Sequence, residues 1–360
     1  MEKELFNDLK RMTEVPGIPG HEYAVRELFN EMTQEYVNEY VTDGLGSHFA
    51  VLNKQPSLPK VLMGAHFDEV GFIVSNITEK GFIQFVPAGG WWSQVLLAQQ
   101  LTIITNEGKR IHGVVGSKPP HALSLEARKQ PYPLEDMFID IGASSEEEVR
   151  EWGVQVGDMI TPYIETRRMN GSKFLLGKAW DNRIGVMIIV EAIRRLKGKS
   201  LPNTAYLGAN VQEEVGLRGA KTATHMIQPD IAFAIDTGLS GDTPGMTPKE
   251  SNCKLGAGPE LFVMDHSMIA HVGLRNFVIK VAEELNIPYQ LTTTPGGGTD
   301  AGSQHLSLNG IPSFAIAVPV RYLHSHTSMI HEDDFLKTVD LVVALLERLD
   351  EVTINEIKNA

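Results

Sequence analysis

The residues best suited to chemistry in this chain are carboxylates and histidines, which occur in four short clusters. The clusters are His66-Phe67-Asp68, Asp181-Asn182, Glu213-Glu214 with Asp236, and His324-Ser325-His326. Imidazole and carboxylate ligands without thiolate suit Zn, Co or Mn. Three acids gathered at a dry strand end are costly unless a cation neutralises them. The pattern therefore indicates a hydrolytic site that holds two metal ions.

Each cluster follows a segment with apolar or strand character. Residues 204–211, TAYLGANV, lead to Glu213 and Glu214, and residues 230–236, DIAFAID, end at Asp236. Because adjacent side chains leaving a strand point to opposite faces, one glutamate of the pair can bind a metal while the other faces a substrate. In an open α/β sheet, ligands bind outside the carboxyl ends of the strands. The clusters are therefore expected to meet at one edge of a sheet.

Taken alone, each cluster also has an ordinary structural interpretation. A His-x-Asp pair is more often a surface or turn pair, and a Glu-Glu pair is usually solvated. Asp181 could cap the helix that follows it, and His326 or His331 could be polar surface. The joint occurrence of all four clusters favours the metal site over these alternatives.

The elements that must position the clusters alternate between strands and helices. Apolar residues at helical spacing predict helices over 3–14 and 21–37, a short helix within 298–308 and a closing helix over 332–352. Strands between these helices imply an α/β fold, an αβα sandwich whose mixed, mostly parallel sheet is covered on both faces.

Between residues 71 and 164 the sequence pattern changes to short segments with strand character, separated by turns rich in Gly, Pro and Asn. Such spacing is typical of a small β-barrel or sandwich. One short helix is expected at 144–153, capped by Ser144 or Ser145. The sequence thus predicts a catalytic domain made of 1–70 and 165–360, with a small β-barrel domain, 71–164, inserted into it.

The overall composition excludes several classes of protein. The 360 residues carry a net charge of -13 and a single cysteine, Cys253. An acidic chain without a basic cluster is a poor partner for nucleic acid or an anionic membrane. One cysteine precludes an internal disulfide and fits a reducing compartment. Without the apolar core of a secretory signal or a run long enough to span a bilayer, a cytoplasmic protein with no nucleic-acid or membrane partner is expected.

Six motifs, in chain order, resemble those of the glutamyl/deblocking aminopeptidase family. They are HFDEVGF, KAWDNRIG, VQEEVGLRGA, AIDTG, GGGTDA and RYLHS. Family members are tetrahedral, dinuclear-metal aminopeptidases with a phosphorylase/hydrolase-like fold of the zinc-peptidase type, and some carry endoglucanase-like names. The resemblance implies that five residues bind metal, with Asp181 bridging two ions. These ligands are His66, Asp181, Glu214, Asp236 and His324.

The same resemblance implies catalytic roles for two further acids. Glu213 matches the general base, and Asp68 matches the residue that orients it or a metal-binding histidine. RYLHS selects His324, whereas the sequence by itself leaves His326 open. Two divalent ions per subunit, Zn or Co with Mn possible, held about 3.5–4 Å apart can activate a bridging water whose proton Glu213 takes. The implied enzyme is a metallo-aminopeptidase that removes N-terminal residues from peptides.

The family resemblance also implies self-association, commonly as a homododecamer built from dimers, with the inserted barrel forming the dimer contacts. The sequence does not determine which N-terminal residue the enzyme prefers in its peptide substrates. Arg275 or Lys254 could bind an acidic side chain, although either could be ordinary surface. Trp91 and Trp92 could form an interface or a pocket wall, or pack in a core.

Other functions fit the pattern less well. A dinuclear-metal dipeptidase or deacylase is the closest alternative. A glycosidase needs two carboxylates that flank one bond, and adjacent Glu213 and Glu214 on a strand would face opposite ways. A catalytically inactive scaffold protein is disfavoured because every matched ligand and base position holds a competent residue.

Overall fold

The computed structural model describes residues 1–360, and its largest element is an eight-stranded mixed sheet. In spatial order its strands are β1 Tyr40–Thr42, β2 His48–Leu52, β12 Thr204–Asn210, β3 Lys60–His66, β13 Ile231–Leu239, β16 Ser313–Val320, β14 Glu260–Asp265 and β15 Gln290–Thr294. The adjacent strands β12, β3, β13 and β16 are parallel to one another. Their carboxyl ends therefore share one edge of the sheet, where open α/β sheets bind ligands.

Helices cover both faces of this sheet. They are α1 Lys3–Glu14, α2 Tyr23–Thr33, α4 Trp180–Leu196, α5 Arg218–Ile227, α6 Val272–Glu284, α7 Ala301–His305, α8 Glu332–Leu346 and α9 Glu351–Lys358, whereas α3 Glu146–Glu151 belongs to the inserted barrel. Successive residues of β3 alternate between the two cores: Leu62 shares a small cluster with Ala223 of α5, whereas Val61 and Met63 belong to the main core with α4 and α8. None of the helices has both the length and the apolar character needed to cross a membrane.

Six antiparallel strands between β3 and α4 close into a barrel. They are β4 Gly71–Ile77, β5 Ile83–Ala88, β6 Gln100–Ile104, β7 Arg110–Gly116, β8 Phe138–Asp140 and β9 Met159–Pro162. The barrel has its own core of 14 buried residues, which includes Phe72 and Ile160. Helix α3 lies between β8 and β9, and of the two candidate caps it is Ser145 whose Oγ accepts the N–H of Glu148, at 3.3 Å. The predicted fold class, an α/β sandwich with an inserted β-barrel, is confirmed.

Several predicted helix boundaries were wrong. The closing helix over 332–352 is two helices, α8 and α9, because Asp350 accepts the N–H of Thr353 at 2.7 Å and so caps a new helix. The helix predicted over 21–37 spans only Tyr23–Thr33, and the one within 298–308 spans only Ala301–His305.

The edge strand β1 had not been predicted, and neither had four other short strands. One is β14, which begins with a buried acid and follows a glycine-rich turn, so its sequence lacks a clear strand pattern. The other three form a small separate sheet, β10 Arg167–Arg168, β11 Phe174–Gly177 and β17 Ser328–His331. This sheet joins the segment before α4 to the segment before α8.

Candidate active site

The structure brings all seven predicted site residues together at the carboxyl edge of the parallel strands. They are His66, Asp68, Asp181, Glu213, Glu214, Asp236 and His324. His66 is the last residue of β3, and His324 lies just beyond β16. Asp236 lies within β13, which continues to Leu239 rather than ending at the acid as predicted. Asp181 comes from the first turn of α4.

Asp181 lies between the two histidines, which face different oxygens of its carboxylate. Oδ1 is 3.2 Å from Nε2 of His66, and Oδ2 is 3.3 Å from Nε2 of His324. On the His66 side, Oδ1 of Asp236 is 3.7 Å from Nε2 of His66. On the other side, Oε2 of Glu214 is 3.3 Å from Nε2 of His324. The site is therefore two half-sites that share one carboxylate.

The start of α4 leaves Asp181 free for this position. Asn182, not Asp181, takes the capping role, since its Oδ1 accepts the N–H of Gly185 at 3.0 Å. The Asn182 amide also donates to the carbonyl of Ile235 at 2.8 Å, which ties α4 to β13 beside Asp236. This hydrogen bond keeps the acids of helix and strand in fixed relative positions. The peptide bond between Asp181 and Asn182 is cis.

Both glutamates lie in a loop beyond β12, not on the strand as predicted. Strand β12 ends at Asn210, and the loop is held by the buried carboxylate of Asp68. Oδ1 of Asp68 accepts the N–H of Glu213 and Oδ2 accepts the N–H of Glu214, each at 3.0 Å. One carboxylate therefore sets the position of both glutamates by binding their backbone.

Asp68 also fixes the orientation of His66. Nδ1 of His66 donates to the backbone carbonyl of Asp68 at 2.9 Å, and Oδ1 of the same residue is 3.5 Å away. With Nδ1 protonated, Nε2 carries the lone pair that points into the site. This is the tautomer that a metal ligand needs.

Crowding of buried charges changes the proton affinity of the whole site. Burial lowers the pKa of His66, but the carboxylates of Glu213 and Asp181 outweigh this and raise it well above its ordinary value. Burial likewise opposes a charged His324, but Asp181 and Glu214 raise its pKa to about 9. Burial and the charge of Asp181 raise the pKa of Glu214 to about 8. The acids gathered here therefore stabilise positive charge within the cluster.

The same residues fit divalent cations. The ligand atoms of His66, Asp181 and Glu214 lie within 4.8 Å of one another, as do those of His66, Glu213 and Asp236. Oε1 of Glu214 is buried without a hydrogen-bond partner, which is costly for a carboxylate unless a cation meets it. Imidazole nitrogen and carboxylate oxygen are the donors that Zn, Co and Mn accept. The donor set is therefore suited to a metal centre.

A cavity of about 480 Å³ opens onto this cluster. The glycine-rich segment 296–298, the end of β13 and Phe262 of β14 form its other walls. No lysine or arginine lines it, and the basic residues considered from sequence, Arg275 and Lys254, lie elsewhere. Apart from histidine, the cavity holds no cationic side chain that could bind an acidic substrate group.

The two residues whose roles the sequence left open have clear positions. His326 lies away from the acids, and its Nε2 donates to the carbonyl of Gln100 in the barrel at 2.8 Å. Trp91 stacks on Phe72 at a centroid distance of 4.8 Å and packs on the barrel core, whereas the side chain of Trp92 is 61% exposed.

The loop that carries these tryptophans reaches the cluster of seven site residues, the proposed metal cluster. A side chain at Gly90 would come within 3.2 Å of Nδ1 of His324, and one at Gly89 would come within 3.4 Å of Cβ of Glu214. Gly89 also has a φ of 97°, which favours glycine. The barrel therefore packs directly against the half-site of His324 and Glu214.

A buried ion network behind the site had not been predicted. The carboxylate of Glu69 binds Nζ of Lys178 at 2.5 and 2.6 Å and an NH2 group of Arg183 at 3.3 Å, and all three side chains are buried. Arg183 also donates to three backbone carbonyls of the segment 12–17. Glu69 adjoins Asp68 in the motif HFDEVGF, and Lys178 and Arg183 lie close to Asp181 in the motif KAWDNRIG. This proximity to predicted site residues is the sequence signal that could have identified the network.

Asp300 is a second buried acid that sequence reasoning did not single out. Its Oδ2 accepts the side-chain amide of Asn210 at 2.8 Å, and its Oδ1 has no partner. Burial, together with the charges of Asp236 and Asp68, raises the pKa of Asp300 to about 7. It belongs to the GGGTDA motif, whose neighbouring residues 296–299 line the cavity.

Asp68→Asn tests how far the glutamate loop depends on this one carboxylate. An asparagine offers one acceptor and one NH2 group, so one of the two backbone N–H groups would face another donor. We expect metal affinity or kcat/KM to fall by about 10–100-fold, the usual effect of losing a group that orients metal ligands. Metal titration and steady-state kinetics measure the loss.

Asp43→Asn is the matched control for that variant. Oδ1 of Asp43 accepts three backbone N–H groups, from Leu45, Gly46 and Ser47, in a turn away from the metal cluster. A similar loss in both variants would mean that general loosening, rather than the position of the glutamates, explains the result.

Comparisons with known proteins agree with this geometry. The sequence profile of the M42 glutamyl aminopeptidase family matches residues 46–341. A glutamyl aminopeptidase of Lactococcus lactis subsp. cremoris is 38% identical over 358 residues, which is 99% of each chain. The solved TET aminopeptidase of Thaumarchaeota archaeon SCGC AB-539-E09 is 44% identical with a TM-score of 0.95, covering 98% of this chain and 99% of its own.

A second solved structure comes from Pyrococcus horikoshii, whose TET1 peptidase can assemble into a tetrahedron or a large octahedral shell. It is 35% identical with a TM-score of 0.86, and covers 96% of this chain and 100% of its own. The family profile spans most of the chain, and both the relative and the structures match it nearly end to end. The chain therefore belongs to the M42 glutamyl aminopeptidase family and is a metal-dependent aminopeptidase.

Proposed function

We propose that two divalent ions, Zn or Co with Mn possible, bind here with Asp181 between them. The observation that carries this proposal is that its two oxygens face different histidines, at 3.2 and 3.3 Å. His66 and Asp236 would complete one half-site, and Glu214 and His324 the other. When bound, the ions supply Lewis acidity that lowers the pKa of a water and stabilises negative charge on the scissile carbonyl group.

Glu213 is the general base in this proposal. It lines the cavity beside the ligands, and burial together with the charges of Asp236 and Glu214 raises its pKa well above the ordinary value. A raised pKa suits a group that first takes a proton from the attacking water and then gives it to the leaving amine. The side chain of Asp68 accepts the backbone N–H of Glu213 and so keeps that residue in place. The role of Asp68 is therefore to position the general base.

The proposed substrates are peptides, which lose their N-terminal residue. We further propose that 1–70 and 165–360 form the catalytic domain and that 71–164 form a dimerisation domain. The tetrahedral assembly of the Pyrococcus horikoshii relative and the dodecamer of a further solved relative, PhTET1-12s, support a homododecamer built from such dimers. Its interior chamber would admit peptides and unfolded chains. The free, buried Cys253 fits a reducing cytoplasmic compartment.

Removal and return of metal tests this proposal directly. Purified protein stripped by a chelator should lose cleavage of aminoacyl 4-nitroanilides and regain it on addition of Co or Zn, with two ions bound per subunit. The substrate panel would carry Glu, Asp, Leu, Met, Lys and Ala. Metal content measured alongside activity separates binding from catalysis.

Two other outcomes would contradict parts of the proposal. Two bound ions without cleavage of any aminoacyl substrate would favour the alternative, a dipeptidase or deacylase that uses the same centre. If no metal is bound after reloading, the proposal of a dinuclear site is wrong.

A further inference from the structure

One buried acid next to the cavity has no part in the proposed metal site. Glu260 opens β14, two residues before Phe262, which lines the cavity. Residues two apart on a strand share a face, so both side chains point to the side of the sheet that carries the cavity. Glu260 is fully buried, and neither of its oxygens accepts a hydrogen bond from a nitrogen or hydroxyl group; the polar group beside it is the thiol of Cys253, a weak donor.

Gly238 brings this carboxyl group next to the cavity. Gly238 lines the cavity, and a Cβ built on it would lie only 2.2 Å from Oε2 of Glu260. The carboxyl group therefore occupies the space where a side chain of residue 238 would stand. Glu260 itself does not line the cavity, but it lies against Gly238, which does.

The protein supplies no counter-charge for Glu260. The guanidinium of Arg321 is bound to both oxygens of Asp242, at 2.7 and 2.6 Å. The buried cations Lys178 and Arg183 are bound to Glu69. Burial raises the pKa of Glu260 to about 8, and the thiol of Cys253 lies close enough for its own pKa to be raised by burial and by Glu260.

A buried carboxyl group without a partner is costly, and such groups in native structures call for an explanation. A cation that enters the cavity would stabilise the ionised form of Glu260. An acidic substrate group would find no such partner, because no lysine or arginine lines the cavity. Charges interact strongly where water is excluded.

We propose that Glu260 sets the substrate selectivity of this cavity, which favours peptides with a basic N-terminal residue, lysine above all, and rejects those with an acidic one. The ammonium group of the substrate side chain would lie against the wall at Gly238, with Glu260 behind it. This inference rests on the proposed aminopeptidase function and specifies its substrate class.

The test compares kcat/KM for Lys-, Leu- and Glu-4-nitroanilide on the cobalt-loaded full chain. The wild-type protein is expected to prefer Lys over Glu by at least about tenfold, which corresponds to about 1.4 kcal/mol. In Glu260→Gln, which keeps the shape and removes the charge, the Lys/Leu ratio should fall by about tenfold and the Glu/Leu ratio should rise.

Glu356→Gln, the same substitution on the exposed surface of α9, is the control and should leave both ratios unchanged. A wild-type preference for Glu over Lys would overturn the inference, even if Glu260→Gln proved too unstable to assay. So would unchanged ratios in a folded Glu260→Gln. If the aminopeptidase proposal itself is wrong, none of the three substrates is cleaved, and this result is distinct from a changed ratio between them.

Discussion

Glu213→Gln should keep the two proposed metal ions and lower kcat by about 10²–10⁴-fold, the usual contribution of a general base. Glutamine has the shape of glutamate but cannot take a proton from water. The loop should not move, because Asp68 holds it through the backbone N–H groups of residues 213 and 214. Metal content by mass spectrometry and kcat of the cobalt-loaded variant measure the two effects separately.

The neighbouring residue provides the contrast. Glu214→Gln changes the same chemical group one position later, but its carboxylate faces His324, where a ligand is proposed. It should lose metal as well as activity. High activity in metal-loaded Glu213→Gln would remove Glu213 from the role of general base, and loss of metal from that variant would make it a ligand instead.

Asp181→Asn should have the largest effect on metal binding. An amide offers one oxygen instead of two, so the two half-sites can no longer share a charged ligand. We expect at most one tightly bound ion per subunit and a fall in kcat/KM of roughly a thousandfold or more, since the ions supply several kcal/mol of transition-state stabilisation. Isothermal titration with Zn and steady-state kinetics report both quantities.

Asp300→Asn is a suitable control for Asp181→Asn. Asp300 is also buried at this edge of the sheet, but it binds Asn210 and lies outside the proposed ligand set. The control should still bind two ions. Two tightly bound ions in Asp181→Asn would show that this carboxylate does not join the half-sites.

Much of this arrangement could be predicted from the sequence because it depends on local patterns. Alternating apolar segments predicted the α/β sandwich, and short turn-bounded runs predicted the barrel. Clusters that follow strands were expected at one edge, and His66, Asp181 and Asp236 lie there together. Residue types and strand topology are enough to predict that much.

The remainder depends on contacts between distant parts of the chain. Glu213 and Glu214 were expected on a strand, yet they lie in a loop whose course is set by hydrogen bonds to Asp68. The buried network around Glu69 and the buried Glu260 have no local sequence signature. An acidic residue is expected at the surface when only the sequence is known, and its burial depends on the fold. The strand β14 was missed for the same reason.

The contact between the barrel and the metal cluster has a thermodynamic consequence. Gly90 of the barrel loop lies against His324, and His326, from the same segment, binds the barrel strand that begins at Gln100. If subunits associate through the barrel, anything that shifts this loop on association also shifts the half-site of His324. Linkage is reciprocal, so ions that bind more tightly to the assembled particle must strengthen its assembly by the same factor.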